Sequence, residues 1–190
     1  MADPDAPPAR YTIGAPKDGS SPRLEALSRE WTVSWLEVPV APSFRDAVWG
    51  KLLGNASLSM VCVLAGATNG DAICDPGALR LIRVLMAETR AVGEAIGVRL
   101  APDAEDRLIV AVRTSTHKPS TLVDLERGRR MEIDAILGAV CEIGRMAKVP
   151  TPTLDMIYSL VRLRAEEAGC YPANPSFSLT YDTRSELPVT

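Results

Sequence analysis

The chain has a single histidine, His117, among its 190 residues, and no two of its four cysteines (Cys62, Cys74, Cys141, Cys170) stand at Cys-x-x-Cys spacing. A histidine-rich metal centre, a zinc ribbon and a dithiol redox motif are thereby excluded. No metal site is predicted, and the cysteines are expected to be small apolar core residues, reduced, in a cytoplasmic protein. Aromatic residues make up only 5%, the net charge is −3 and the pI about 5.3. With no block of Lys and Arg, the chain lacks both the stacking platform and the cationic footprint of a nucleic-acid binder. The longest apolar run, Met60 to Ala67, is too short to cross a bilayer. Met1 to Arg10 has neither the basic start nor the apolar centre of a signal peptide, so no membrane partner is expected. None of the 13 glycines stands two residues from another. The G-x-G-x-x-G turn that brings a dinucleotide pyrophosphate against a helix end is therefore missing.

What is present is ordinary globular material, 46% hydrophobic and 24% charged, in a length that suits one well-buried domain. Residues 1–10 read as disordered. Tyr11-Thr12-Ile13 reads as a short strand. Ser21 and Pro22 read as the cap and first residue of a short helix with Leu24, Leu27 and Trp31 on its apolar side, and Thr32 to Val38 as a strand.

From Ser43 onward the pattern is helical. Phe44, Val48, Leu52, Ala56 and Met60 recur every four residues, as one apolar face would. Gly66, Asn69 and Gly70 interrupt it. Asp75-Pro76 opens a long helix through Leu79, Ile82, Met86, Val92 and Ile96, stopped by Gly97. Further helices are predicted from Pro102-Asp103, from Ser120 to about Arg127, from Glu132 to Met146 with Ile136, Val140 and Ile143 inward, and after the joint Val149-Pro150-Thr151-Pro152. There Thr153 is the expected cap, with Met156, Leu160 and Leu163 as the apolar positions. The fold class expected is mainly α, a bundle of about six to seven helices behind a short strand–helix–strand. A flexible tail is expected over 170–190.

Two groups of polar residues can carry chemistry. Lys51, Asn55 and Ser59 stand at i, i+4 and i+8, and since each step of four advances about 400°, their polar ends share one stripe. Such a stripe is either a solvated face or a small-anion site, with an ammonium as acid or charge stabiliser beside an amide and a hydroxyl. The second group runs Pro119-Ser120-Thr121-Leu122-Val123-Asp124, then Gly128-Arg129-Arg130-Met131-Glu132-Ile133-Asp134. Its members also have structural readings: Ser120 as a helix cap, Thr121-x-x-Asp124 as a capping box, and Glu132 and Asp134 as acids at a helix amino end.

In this order and spacing, Trp49-x-Lys51-x-x-x-Asn55, Pro119 to Asp124, Gly128-Arg129, Glu132-Ile133-Asp134, Ile136, Gly138 and Val149 to Pro152 resemble the carboxy-terminal domain of ketopantoate reductase (2-dehydropantoate 2-reductase). The resemblance covers roughly residues 11–168. It implies a 6-phosphogluconate-dehydrogenase-like helical domain over 43–169, and a remnant of a Rossmann domain over 11–42. The activity implied is NADPH-dependent reduction of ketopantoate or a related small 2-keto acid, on the route to pantothenate.

Carried over residue by residue, Lys51 would stabilise or protonate the developing alkoxide and Asn55 would bond the substrate. Ser120 would hold its carboxylate, and Glu132 would bind its hydroxyl and set the charge around the lysine. Two positions depart from the family pattern: Ser59 stands where a second asparagine is common, and Thr121 follows Ser120 where methionine is usual. Because the nucleotide fingerprint is missing, NADPH is not expected to bind tightly to this chain alone. The expected partners are a separate Rossmann-domain chain and further copies of itself, since surface that the missing domain normally covers would be exposed. The alternative is a non-catalytic helical module, for dimerisation or for binding a small carboxylate.

Overall fold

The structure, a computed structural model, describes residues 8–17 and 19–171. It opens with a parallel strand–helix–strand unit. Strand β1 (Ala9–Arg10) lies beside β2 (Leu36–Glu37), with Ala9 opposite Leu36 and Arg10 opposite Glu37. Ile13 and Val40 continue the pairing as a parallel bridge. Parallel neighbours need a crossover, which helix α1 (Pro22–Trp31) provides. Ser21 caps it by accepting from the Leu24 N–H, as expected. The helix is pinned to the second strand by the Ser28 hydroxyl, which donates to the Val38 carbonyl at 2.6 Å.

Two boundaries differ from the sequence reading. Order begins before residue 11, because the Ala9 N–H donates to the Trp35 carbonyl. The strand expected over Thr32 to Val38 shrinks to two residues, because Val33 and Leu36 exchange backbone hydrogen bonds across a tight turn. That turn uses the groups a longer strand would offer its neighbour.

The remainder is helical. Helix α2 (Phe44–Leu53), a π-helical turn over Gly54–Leu58 and α3 (Ser59–Ala65) form one continuous rod. Ser43 caps its start through the Asp46 N–H. This 22-residue rod is long and apolar enough, at a mean hydropathy of 1.4, to cross a membrane, a length the run Met60 to Ala67 alone does not reveal. Much of that apolar surface is used by the core. Trp49, Leu53, Ala56, Met60, Cys62 and Val63 are buried, whereas Val48, expected inward, is exposed.

Helix α4 (Asn69–Cys74) forms where the sequence reads as a break, because Thr68 caps it through the Asp71 N–H. Helix α5 (Pro76–Ala95) is the central element. Asp75 caps it by accepting from the Ala78 N–H at 2.7 Å, and Gly97 ends the run at φ 86°. Its inner face is Ile82, Leu85, Met86, Thr89 and Val92. Then follow α6 (Ala104–Val112), α7 (Ser120–Glu126), a second π-helical turn (Asp134–Gly138) leading into α8 (Ala139–Ala147), and α9 (Pro152–Glu167).

The cap of α9 is not Thr153 but Thr151 by position. The donors of the first turn are taken by Glu88 of α5, whose two carboxylate oxygens accept from the Thr153 and Leu154 N–H groups at 3.0 and 2.8 Å. A carboxylate there satisfies two orphan donors and suits the positive end of the helix. Docked this way, α9 buries Leu154, Ile157, Tyr158, Val161 and Ala165. Met156, Leu160 and Leu163, expected inward, point to solvent.

The contiguous hydrophobic core runs from Trp49 to Cys170 and includes no side chain of the strand–helix–strand unit. The expected tail begins too early: Cys170 is buried and Tyr171 is hydrogen-bonded, while 172–190, like residues 1–7 of the expected disordered start, lie outside the described residues.

Candidate functional site

The rod Phe44–Ala65 supplies three of the candidate side chains, at increasing depth. Lys51 near the end of α2 is exposed, Asn55 in the π turn is half-buried, and Ser59 at the start of α3 is buried. In an uninterrupted α-helix, eight residues accumulate about 80° of drift between Lys51 and Ser59. The π turn absorbs one extra residue, about 100° of rotation, and so brings Ser59 back to within ~20° of the Lys51 direction. The widened turn is marked by the Ser59 N–H, which donates to the Gly54 carbonyl. The buried Ser57 hydroxyl donates to the Leu53 carbonyl in the same turn, a local side-chain bond that helps satisfy the opened backbone.

The other two candidates lie on, or just before, elements packed on this rod. Helix α7 packs against α3, and the second π turn packs against the first. Ser120 is the first residue of α7 and is exposed. Its hydroxyl does not cap the helix, and no Thr121–Asp124 capping box forms; the cap position is Pro119, with no side-chain bond. Glu132 is exposed in the segment entering the second π turn, which likewise has no side-chain cap. Asp134, by contrast, has a structural role, as acceptor for the hydroxyls of Tyr158 at 2.7 Å and Tyr171 at 2.8 Å.

Among the described residues, Lys51, Asn55, Ser59, Ser120 and Glu132 make no side-chain hydrogen bond or ion pair with the rest of the protein or with one another. Several other charged side chains are tied into the fold. Arg90 grips Glu105 through two hydrogen bonds of 2.5 and 2.6 Å, and Lys118 pairs with Glu126 at 2.5 Å. The five candidates are thus a polar set left open on adjoining elements, and a small polyoxygenated ligand could use them.

Sequence reasoning missed both π turns and the Asp134–Tyr158–Tyr171 cluster. No local signal marks the cluster, since its partners lie 24 and 37 residues apart. No group of three or more metal-ligating side chains occurs among the described residues.

The amino end of the helix in the strand–helix–strand unit offers few free donors to a pyrophosphate. Pyrophosphate is held by free N–H groups at a helix amino end. In α1, Pro22 removes one donor and the Ser21 hydroxyl takes another.

Comparison with known proteins bears on the same segments. The family model described as "Ketopantoate reductase PanE/ApbA C terminal" matches residues 43–165. A 2-dehydropantoate 2-reductase of Mesorhizobium japonicum is 41% identical over 162 residues, 85% of this chain and 50% of that protein. Another from Halobacterium salinarum is 32% identical over 154 residues, again 50% of its length. Among solved structures, one described as a putative ketopantoate reductase from Ralstonia solanacearum MolK2 superimposes with a TM-score of 0.79 at 32% identity. It matches 86% of this chain and 50% of its own. The chain spans about half the length of the curated relatives it matches. The helical bundle from Ser43 onward is the region shared in the family match, and by it this chain belongs to the ketopantoate reductase family, as that family's carboxy-terminal domain.

Proposed function

We propose that this chain forms the substrate-binding wall of a 2-dehydropantoate 2-reductase and contributes the proton-donating or charge-stabilising group of the reaction. The observation that carries the reading is the open polar set. Lys51, Asn55 and Ser59 lie along one side of the rod, with Ser120 on a helix packed against it and Glu132 in the segment entering the second π turn, and none of these side chains has a hydrogen-bond or ion-pair partner among the described residues. A side chain kept out of ion pairs and caps retains its donors and acceptors for a ligand.

In this reading the substrate is ketopantoate or a related small 2-keto acid. The Ser120 hydroxyl donates to its carboxylate, and Asn55 and Ser59 fix the keto-acid end. The Lys51 ammonium sits where negative charge grows on the carbonyl oxygen, where a positive donor is worth most. Glu132 accepts from the hydroxyl of the substrate. NADPH, the hydride donor the family implies, is held outside the described residues, because the unit that precedes the bundle does not offer a pyrophosphate site.

The test is NADPH oxidation with ketopantoate in excess, by the chain alone and with a nucleotide-binding domain supplied in trans, beside Lys51→Ala. The expected result is negligible turnover alone and turnover with the added domain, falling by about 10²–10⁴-fold in Lys51→Ala. Turnover by the chain alone that Lys51→Ala abolishes would overturn the division of labour. Turnover with the added domain that survives Lys51→Ala would overturn the role of the lysine. A chain inactive in both settings would favour a non-catalytic carboxylate-binding module.

A further inference from the structure

The segment that carries Glu132 is fastened on both sides by the chain that follows α9. After Glu167 the backbone turns at Gly169, whose φ of 67° is a left-handed conformation that suits glycine. It then runs back across the stretch between α7 and the second π turn. The Cys170 N–H donates to the Ala165 carbonyl at 2.8 Å, and the buried Cys170 side chain sits near the Leu125 carbonyl. The Cys170 carbonyl in turn accepts from the Met131 N–H at 2.8 Å. One residue on, the Tyr171 hydroxyl reaches both oxygens of Asp134, at 2.8 and 2.9 Å. Tyr158 of α9 donates to the same carboxylate at 2.7 Å. Glu132 lies between these two fastenings. Its neighbours Met131 and Ile133 are 2% and 0% exposed, so the stretch alternates inward, outward, inward.

We propose that Tyr171 and Tyr158 are positioning residues for Glu132. Through Asp134, and with the Cys170 carbonyl, they fix the direction in which the Glu132 carboxylate leaves the surface. This inference rests on the reading that Glu132 binds the hydroxyl of a small 2-hydroxy or 2-keto acid. The physical reason is economy of ordering. The Glu132 carboxylate has no intramolecular partner among the described residues, and its own backbone is held through its carbonyl, which accepts from the Ile136 N–H at 3.2 Å, so its neighbours must fix the rest of the segment if the carboxylate is to meet a ligand without a further entropic cost. Burial and the Asp134 carboxylate both push the Tyr171 hydroxyl towards its protonated form, the form that donates.

The test uses the full chain, with pantoate as the probe, followed by amide NMR. Wild type, Tyr171→Phe, Asp134→Asn and Glu132→Gln are compared for amide exchange at Met131 and Ile136, whose N–H groups donate to the Cys170 and Glu132 carbonyls, for pantoate affinity and for thermal midpoint. In Tyr171→Phe, exchange at Met131 and Ile136 is expected to rise about tenfold while Leu137 and Val140 keep their protection. Pantoate affinity is expected to fall about fivefold, the worth of one lost hydrogen bond, with Asp134→Asn following the same pattern. Tyr171→Phe that leaves exchange or affinity unchanged, while Glu132→Gln weakens binding, overturns the positioning role. A wild-type chain that shows no pantoate-dependent shifts, or Glu132→Gln binding as wild type, overturns the underlying site reading instead.

Discussion

At the scale of single residues, burial and partners decide which groups are inert and which are available. Arg90 and Glu105 form a largely buried pair, with side chains 19% and 17% exposed, and Arg90 also donates to the Ala101 carbonyl at 2.8 Å. The hydrogen bond from Arg90 holds the Glu105 carboxyl below its usual range. That stabilisation is therefore complete above the unfolded carboxylate value of about 4.3, and is lost as pH falls through the lower folded value. Glu105→Ala should cost about 1–3 kcal/mol near neutrality, because it removes two charge-assisted hydrogen bonds and leaves Arg90 only the Glu94 carboxylate and the Ala101 carbonyl. Urea unfolding at pH 7 and pH 3 checks both points, and the gap between wild type and variant should narrow at the lower pH.

The cysteines separate in the same way. Burial, reinforced by the Asp71 charge, pushes the Cys62 thiol up to about 11. Burial, reinforced by Asp155, pushes Cys141 up to about 12. Cys170 is buried as well, and Cys74 alone of the four is exposed. Titration of the native protein with an aromatic disulfide at pH 8 should show Cys74 reacting first, with the others following only on unfolding. Fast reaction of a second thiol would mean that the core opens on that timescale.

At the scale of elements, close approach and long-range caps matter more than propensity. At Gly93 an added Cβ would lie 2.8 Å from the Trp49 ring, where α5 crosses α2. Alanine would gain about 1 kcal/mol of helix propensity. Overpacking a buried ring costs about 1–3 kcal/mol, so Gly93→Ala should lower stability on balance. The Glu88 carboxylate holds the amino end of α9 across 65 residues of sequence. Glu88→Ala should cost about 1–3 kcal/mol and raise amide exchange at Thr153 and Leu154. The sequence reading placed the cap on Thr153 because caps are ordinarily sought within one turn of the helix. Nothing local indicates that a residue in the middle of α5 does this work.

The same limit explains α9. Met156, Leu160 and Leu163 have helical spacing, yet the docked face is the one through Leu154, Ile157, Val161 and Ala165. Periodicity reports that a face exists; which of two apolar rows turns inward is decided by the helices it meets.

At the scale of the whole molecule, the core begins at Trp49 and ends at Cys170. The strand–helix–strand unit contributes only Val38 and Ala41 as buried apolar side chains, and they stand outside that cluster. A chain beginning at Pro42 should therefore unfold in one cooperative transition, with a midpoint within a few degrees of the full chain. Calorimetry on the two chains tests this, and a broad or non-cooperative transition in the shorter one would show that the bundle depends on the unit before it.

The sequence by itself determined the helical class, the helix starts at Ser21, Ser43 and Asp75, the stop at Gly97, and the identity of the candidate residues. Caps, breakers and motif spacing are written within a few positions of one another and need no partner to be read. Tertiary structure decided the rest. It set the π turn that realigns Ser59 with Lys51, the second π turn beside it, the Glu88 cap, the outward row on α9, and the strap through Cys170 and Tyr171. These depend on groups that the chain brings together from dozens of residues apart, where burial and unsatisfied hydrogen bonds, rather than local propensity, set the lower free energy.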